Sequence, residues 1–316
     1  MRRGLPFVAT SYMKLLMESV IARALHEHPV KISDLVFLGN HPHMMIVAQD
    51  AEQCKNFYGY IQSNLTEILK KLLGLRNLRL WEGYAQVSEI LDYDKLLERL
   101  AYLYSNPAKA HLESAIELYP GINSWEAFQT AERKVDAVVS KKCPWIRRPM
   151  IEKLPSLKVS EATDWHIASQ LRQKARKFHE LTFHPFASVK AFNPSADAED
   201  LESFVQEVTR RVRLNEAEFE EERKKEGRKV IGARKLRVQA INMDYEPTKF
   251  SERQAAFMAS TNEERIAAVA EFREFCIKCK AAYQAWSRGD YHAAIWPPGA
   301  FRPSMPPTMN VFEVER

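Results

Sequence analysis

Apolar residues recur at helical spacing from Lys14 to His26, through Leu15, Leu16, Val20, Ala24 and Leu25, and Pro29 closes the run. Leu5 to Met13 reads as a strand entering that helix. Val30–Leu38 and His43–Val47 are strand runs separated by the turn-forming pair Gly39-Asn40. Asp50-Ala-Glu-Gln opens a second helix, with acids near the positive end of its dipole. Its stripe runs through Phe57, Ile61, Leu65, Ile68, Leu69 and Leu72 to a C-capping Gly74. Arg79–Ile90 is a weaker strand or hairpin, and Asp92 caps a helix that stops near Pro107. The order β-α-β-β-α-β-α predicts an α+β fold, an antiparallel sheet with packed helices in a split βαβ arrangement.

The texture changes after about Ala137. Lys141 to Pro149 is basic and proline-rich, so 136–160 reads as a linker between a first domain over 1–135 and an extension over 161–316. The extension reads as mainly helical, with helices over Thr163–Glu180, Asp197–Glu226 and Thr261–Arg288, the last opened by a Thr261/Glu264 capping box. A proline-rich tail follows from Ile295.

The second strand carries His41-Pro-His43. Residues i and i+2 of a strand share a face, so both imidazoles can meet one cation while Met44 and Ile46 alternate about them. The helix before Pro107 offers the complement. Leu96, Leu97, Leu100, Leu103 and Tyr104 form its apolar stripe, and Lys95, Glu98, Arg99, Tyr102 and Asn106 lie on its polar side. Tyr102 and Asn106 are an i, i+4 pair. If that side meets the histidines, Asn106 is a third metal ligand and Tyr102 a nucleophile. Phenols, with pKa ~10, need a neighbour that favours the phenolate. A divalent cation can also polarise a phosphate, and Arg99 can add positive charge. An amide ligand without thiolates favours Mg²⁺ or Mn²⁺ over structural zinc. Tyr104 is the rival nucleophile, set back by its place on the apolar stripe.

Asn40-His-Pro-His43, Leu80-Trp-Glu-Gly-Tyr84, Tyr102-Leu-Tyr-Ser-Asn-Pro-Ala-Lys-Ala110 and Ser124-Trp125 resemble the HUH single-tyrosine transposases, and within them the REP-associated tyrosine transposases. The resemblance covers roughly residues 1–130, with echoes in Val230-Ile-Gly-Ala-Arg and Trp296-Pro-Pro-Gly. It implies a ferredoxin-like catalytic domain that cuts and rejoins single-stranded DNA near hairpins or inverted repeats. The route is a 5′-phosphotyrosine and a 3′-hydroxyl, with His41, His43 and Asn106 on the metal and Tyr102 as nucleophile. Two residues depart from the pattern or strain it. Pro42 replaces the usual bulky apolar residue and is expected to distort the strand. Pro107 disfavours helical backbone at Asn106 and is expected to loosen the i, i+4 pair.

Composition narrows the partners. The 316 residues are 46% hydrophobic, which excludes wholesale disorder, and no run of eighteen apolar residues spans a membrane. Met1-Arg-Arg-Gly-Leu-Pro-Phe has no signal-peptide core, and four cysteines do not make a disulfide scaffold, so a cytoplasmic setting is expected. The net charge of +5 fits a polyanion partner. Arg210, Arg211, Arg213, Arg223, Lys224 and Lys225 are interleaved with glutamates and read as a solvated helix face. Arg228, Lys229, Arg234, Lys235 and Arg237 fall in a stretch without acids and are candidates for phosphate contact. Trp81, Tyr84 and Trp125 are candidates for stacking on unpaired bases. Cys276-Ile-Lys-Cys279 is a single CxxC, for which two thiols on one helix face are the simpler reading than zinc. His26 and His28 read as helix-end polar groups and His184 as turn or packing chemistry. Two further functions remain open: a non-cleaving binder of hairpin DNA or RNA, and a hydrolytic metallonuclease. Monomer and homodimer are equally open.

Overall fold

The computed structural model describes residues 9–81, 85–146, 161–239 and 256–303. Helix α1 (Ser11–Glu27) begins at Thr10, whose hydroxyl accepts from the Met13 amide at 3.2 Å. The carboxylate of Asp164 takes the Ser11 and Tyr12 amides at 2.6 and 3.0 Å, so a residue 153 positions away closes the same helix end. Of the expected strand entering α1, residues 5–8 lie outside the described ones, and Ser11 to Met13 already belong to the helix.

Strands β1 (Lys31–Phe37) and β2 (Pro42–Val47) form the expected antiparallel hairpin, and α2 (Ala51–Leu72) follows with Asp50 as its N-cap. Gly74, at φ +64°, adopts the left-handed conformation that ends this helix. Helix α3 (Tyr93–Lys109) starts at Asp92, as its sequence predicts. Four expectations about the sheet fail, one of them that all its strands run antiparallel. Arg79–Ile90 yields only β3 (Glu89–Ile90) among its described residues, paired with β6 (Phe257–Met258) in a separate two-stranded sheet. The supposed linker instead supplies β4 (Val139–Pro144), and the C-terminal part of the predicted 163–180 helix is β5 (Phe178–Phe183), with α5 (Glu161–Lys174) before it.

The main sheet has the order β2-β1-β5-β4, with β1 and β5 parallel and the other two pairs antiparallel. The architecture is thus α+β with a mixed sheet that draws strands from both sides of residue 135. Polar and basic side chains obscure β4 in the sequence, because Ser140, Lys141 and Lys142 are exposed on an edge strand.

A register shift in β1 between Ile32 and Asp34 sets which side chains face which layer. Ile32, Leu35 and Phe37 join the core under α1, α2 and α5. Val36 and Leu38 join the opposite core, under α3, α4 (Trp125–Thr130), α6 (Ala187–Phe192) and α7 (Ala198–Lys225). Beyond β5, the edge of β1 is completed by a loop: Phe37 donates to the Ile122 carbonyl at 2.8 Å and Ser124 to that of Leu35 at 2.9 Å. Helix α7 bears the predicted pairs, Arg210 and Arg211 on Glu207 and Lys224 on Glu220. Helices α8 (Ala233–Arg237) and α9 (Asn262–Ser287) complete the described elements, the latter opened by Thr261 and Glu264.

Candidate active site

Alternation along β2 turns His41, His43 and Met45 toward the α3 layer, while Met44 and Ile46 pack on the α1/α2 core. The two Nε2 atoms lie 2.8 Å apart. Nitrogens that share a divalent cation at ~2.1 Å each stand about 3 Å apart when the angle between them is near 90°. The pair is therefore already spaced for a common ion, and the same separation suits an N–H···N bond between neutral rings. Burial pushes the His43 imidazolium down to about 3, helped by the nearby charges of His41 and Lys109, and burial lowers His41 too. Both rings are neutral at pH 7, the form that ligates. Asn40 Oδ1 lies 2.5 Å from His41 Nδ1, where it accepts that N–H and leaves the Nε2 lone pair toward His43.

Pro42 does not distort this arrangement. It opens β2 on the sheet's edge, opposite Phe37, where a missing donor is tolerated, and Leu38 still donates to His41 at 2.9 Å across the turn. Nor does Pro107 stop α3, which continues to Lys109. The helix end is held from outside: Arg223, only 4% exposed, donates to the Ala108 carbonyl at 2.8 Å, and the Leu112 and Glu113 amides both reach the Pro107 carbonyl.

Tyr102 is half-buried, with its ring 6.2 Å from that of His43 in an edge-on arrangement. Tyr104 lies on the buried side of the helix, as its place on the apolar stripe predicts. Its hydroxyl donates to Asp34 Oδ1 at 2.5 Å and sits 3.0 Å from Ser124 Oγ, which accepts from the Leu35 amide. Burial and then the adjacent carboxylate raise its pKa well above 10, so Tyr104 is a strut between α3 and β1. Asn106 follows Tyr102 by one turn, is 4% exposed, and has an amide nitrogen without a hydrogen-bond partner. A buried orphan amide one helical turn beyond Tyr102 has the chemistry of a hard-cation donor, its oxygen and nitrogen being interchangeable by a flip. Among the described residues, no cluster of three His, Cys, Asp or Glu side chains could hold a metal, so His41 and His43 need the carboxamide or external oxygens.

Lys109 belongs with these residues and is not among those singled out from the sequence. Its ammonium lies 4.7 Å above the Tyr102 ring and 5.9 Å from that of Phe219, and its charge reaches His43. The signal was available: Tyr102, Asn106 and Lys109 are i, i+4 and i+7 on one helix face. Asn40 was equally visible beside His41, but its role in fixing the ring emerges only in three dimensions.

Other candidates fall elsewhere. Arg99 pairs loosely with Glu98 at 3.6 Å, and its Nε is buried without a partner. Trp81 packs on the α1/α2 core and donates to Gln62 O and Thr66 Oγ1, on the far face of the sheet from the histidines. Trp125 is buried against Tyr104 and Phe128, so neither indole is a stacking platform at this site. Tyr84 lies outside the described residues. Ile231 and Gly232 donate to the carbonyls of His111 and Leu112, which docks the acid-free stretch on the C-terminal end of α3. Lys229, Arg234, Lys235 and Arg237 are exposed there, and Arg228 pairs with Glu226 at 3.2 Å. Cys276 is exposed and Cys279 half-exposed on α9, as one helix face requires. No helix among the described residues is long and apolar enough to cross a membrane. No protein-family model, no curated protein and no solved structure matches the chain.

Proposed function

We propose that the chain is a metal-dependent, single-tyrosine strand transferase of the HUH kind, acting on single-stranded DNA with hairpin or inverted-repeat structure. The observation that carries this reading is Tyr102 beside the neutral imidazole of His43, whose Nε2 lies 2.8 Å from that of His41. His41, His43 and Asn106 would hold Mg²⁺ or Mn²⁺, which when bound supplies Lewis-acid polarisation of a phosphodiester. The chain's own residues do the rest. Asn40 orients His41; Tyr104, Asp34 and Ser124 fix the rotation of α3; Lys109 offers a charge-assisted bond to phosphate oxygen or phenolate. Tyr102 Oη bonds to phosphorus as its proton leaves, and the bond from phosphorus to the 3′ oxygen breaks. That oxygen takes a proton and departs as a 3′-hydroxyl. The 5′-phosphotyrosine keeps the bond energy that rejoining needs.

The test is incubation with hairpin DNA and Mn²⁺ or Mg²⁺, read on a denaturing gel. A covalent adduct is expected, lost with a chelator and in Tyr102→Phe and retained in the folded fraction of Tyr104→Phe. Cleavage that survives Tyr102→Phe would mean hydrolysis by water. A second reading, a hairpin DNA or RNA binder without cleavage, draws on the basic stretch docked beside α3; it predicts salt-sensitive binding with no adduct under any metal.

A further inference from the structure

Among the described residues of α9, 26 in all, only Ala282 is buried. With the half-buried Ala268, Phe275, Cys279 and Trp286 it marks the side of the helix that rests on the protein. The other side carries Ile266, Ala270, Ile277 and Ala281, spaced i, i+4, i+11 and i+15, so one narrow stripe holds all four. All are exposed, Ile266 by 59% and Ile277 by 68%. We propose that this stripe is the interface of a homodimer, in which α9 of a second copy lies antiparallel along it about a two-fold axis between Arg273 and Glu274.

Isoleucines exposed singly are ordinary, whereas two of them aligned with two alanines make a continuous apolar line on an otherwise polar surface. That line is complementary to itself. Reversing it about the point between 273 and 274 exchanges Ile266 with Ala281 and Ala270 with Ile277. Each branched side chain then meets an alanine of the second copy, so bulk fills gap along the contact and the two axes can come close. A parallel partner would set isoleucine on isoleucine and alanine on alanine. Charge selects the same direction. Residues 262–274 carry Glu263, Glu264, Glu271 and Glu274 against Arg265 and Arg273, while 275–288 carry Lys278, Lys280 and Arg288 and no acid. Antiparallel helices lay each acidic half on a basic half and oppose their dipoles, and parallel helices lay like on like. At the axis Arg273 comes level with Glu274 of the second copy, while Lys278 keeps Glu274 at 2.7 Å within its own helix. Such a contact uses the same patch on both chains, so it closes at two.

Gel filtration of the full chain with light-scattering detection, at about 50 µM, is expected to give twice the chain mass of 36.6 kDa. Ile277→Glu puts a charge in the stripe and is expected to return the mass to that of one chain. Its side chain is exposed, and circular dichroism melting within about 2 °C of the parent checks that it folds. Direction is read by disulfide trapping in a Cys276→Ser/Cys279→Ser background. Ile266→Cys and Ala281→Cys together are expected to give a covalent dimer on mild oxidation, and either one alone to give none. The two positions stand roughly 22 Å apart on one helix, beyond the span of an internal disulfide. A monomeric parent overturns the proposal and leaves the stripe to a different partner. A dimer that survives Ile277→Glu places the interface elsewhere, and trapping by Ile266→Cys alone makes the helices parallel; either result overturns it. These measurements use neither DNA nor metal, so their failure leaves the transferase reading untouched, and absence of an adduct leaves the dimer untouched.

Discussion

Two tyrosines two positions apart on α3 have opposite fates: helical spacing turns Tyr104 to the core, and one buried carboxyl holds it there. Asp34 is fully buried and reaches the Tyr104 hydroxyl because the register shift in β1 turns it toward α3. Burial raises its pKa to about 6 from 3.8, with the hydrogen bond from Tyr104 offsetting part of the cost. A raised acid pKa means that the folded state holds the proton more tightly than the unfolded chain does. Its stabilising effect is complete below pH 4 and fades as pH rises through 6, a loss of roughly 3 kcal/mol. Asp34→Asn should therefore abolish this component: urea midpoints at pH 4.5 and 7 should differ less in the variant than in the parent, and an unchanged difference would refute the assignment. Helical spacing alone places Tyr104 on the core side and Tyr102 off it, so that division was legible in the sequence. Asp34 was not, because a bulge breaks the alternation from which a strand's faces are read.

Helix α3 works as a ruler, and its length past Pro107 decides how many functional groups it carries. A helix ending before the proline would present Tyr102 and leave Lys109 in a loop. The backbone that Pro107 unsettles is held by Arg223 of α7 and by the amides of Leu112 and Glu113. A proline signals a stop in a single sequence, whereas packing against a neighbouring helix overrides it. For this reason Lys109 was missed although its spacing was plain. A charge-assisted hydrogen bond contributes about 1.5–3 kcal/mol. Lys109→Gln should accordingly slow Tyr102 adduct formation by ~10–100-fold while melting within about 2 °C of the parent. Single-turnover gels with Mn²⁺ measure the rate, and parental kinetics in the variant would remove Lys109 from the site.

Across the whole molecule, long-range pairing was the least legible layer. The hairpin, α1, α2, α3, α7 and α9 follow from local periodicity and caps, but β4 looked like a linker and β5 like helix, because neither strand declares its partner locally. The basic stretch, by contrast, stood out by its lack of acids, and the structure adds its location at the end of α3. If Lys229, Arg234 and Lys235 each meet a phosphate of a single strand, replacing all three by alanine should flatten the plot of log affinity against log salt by about 2, at ~0.7 per contact. Fluorescence anisotropy across a salt series gives the slope, and an unaltered one would place the strand elsewhere. The sheet order also has a consequence for biosynthesis. The hairpin leaves the ribosome with one side of β1 bare; the loop at Ile122–Ser124 later covers its Leu35–Phe37 end, and the chain must grow to Phe183 before Ile32 meets its neighbour. Such a nascent chain carries a partly open, apolar strand until β5 emerges, which makes it a client for chaperones and a hazard if synthesis stops early. Any shortened version that ends before β5 inherits that exposed seam, however complete its histidine and tyrosine chemistry.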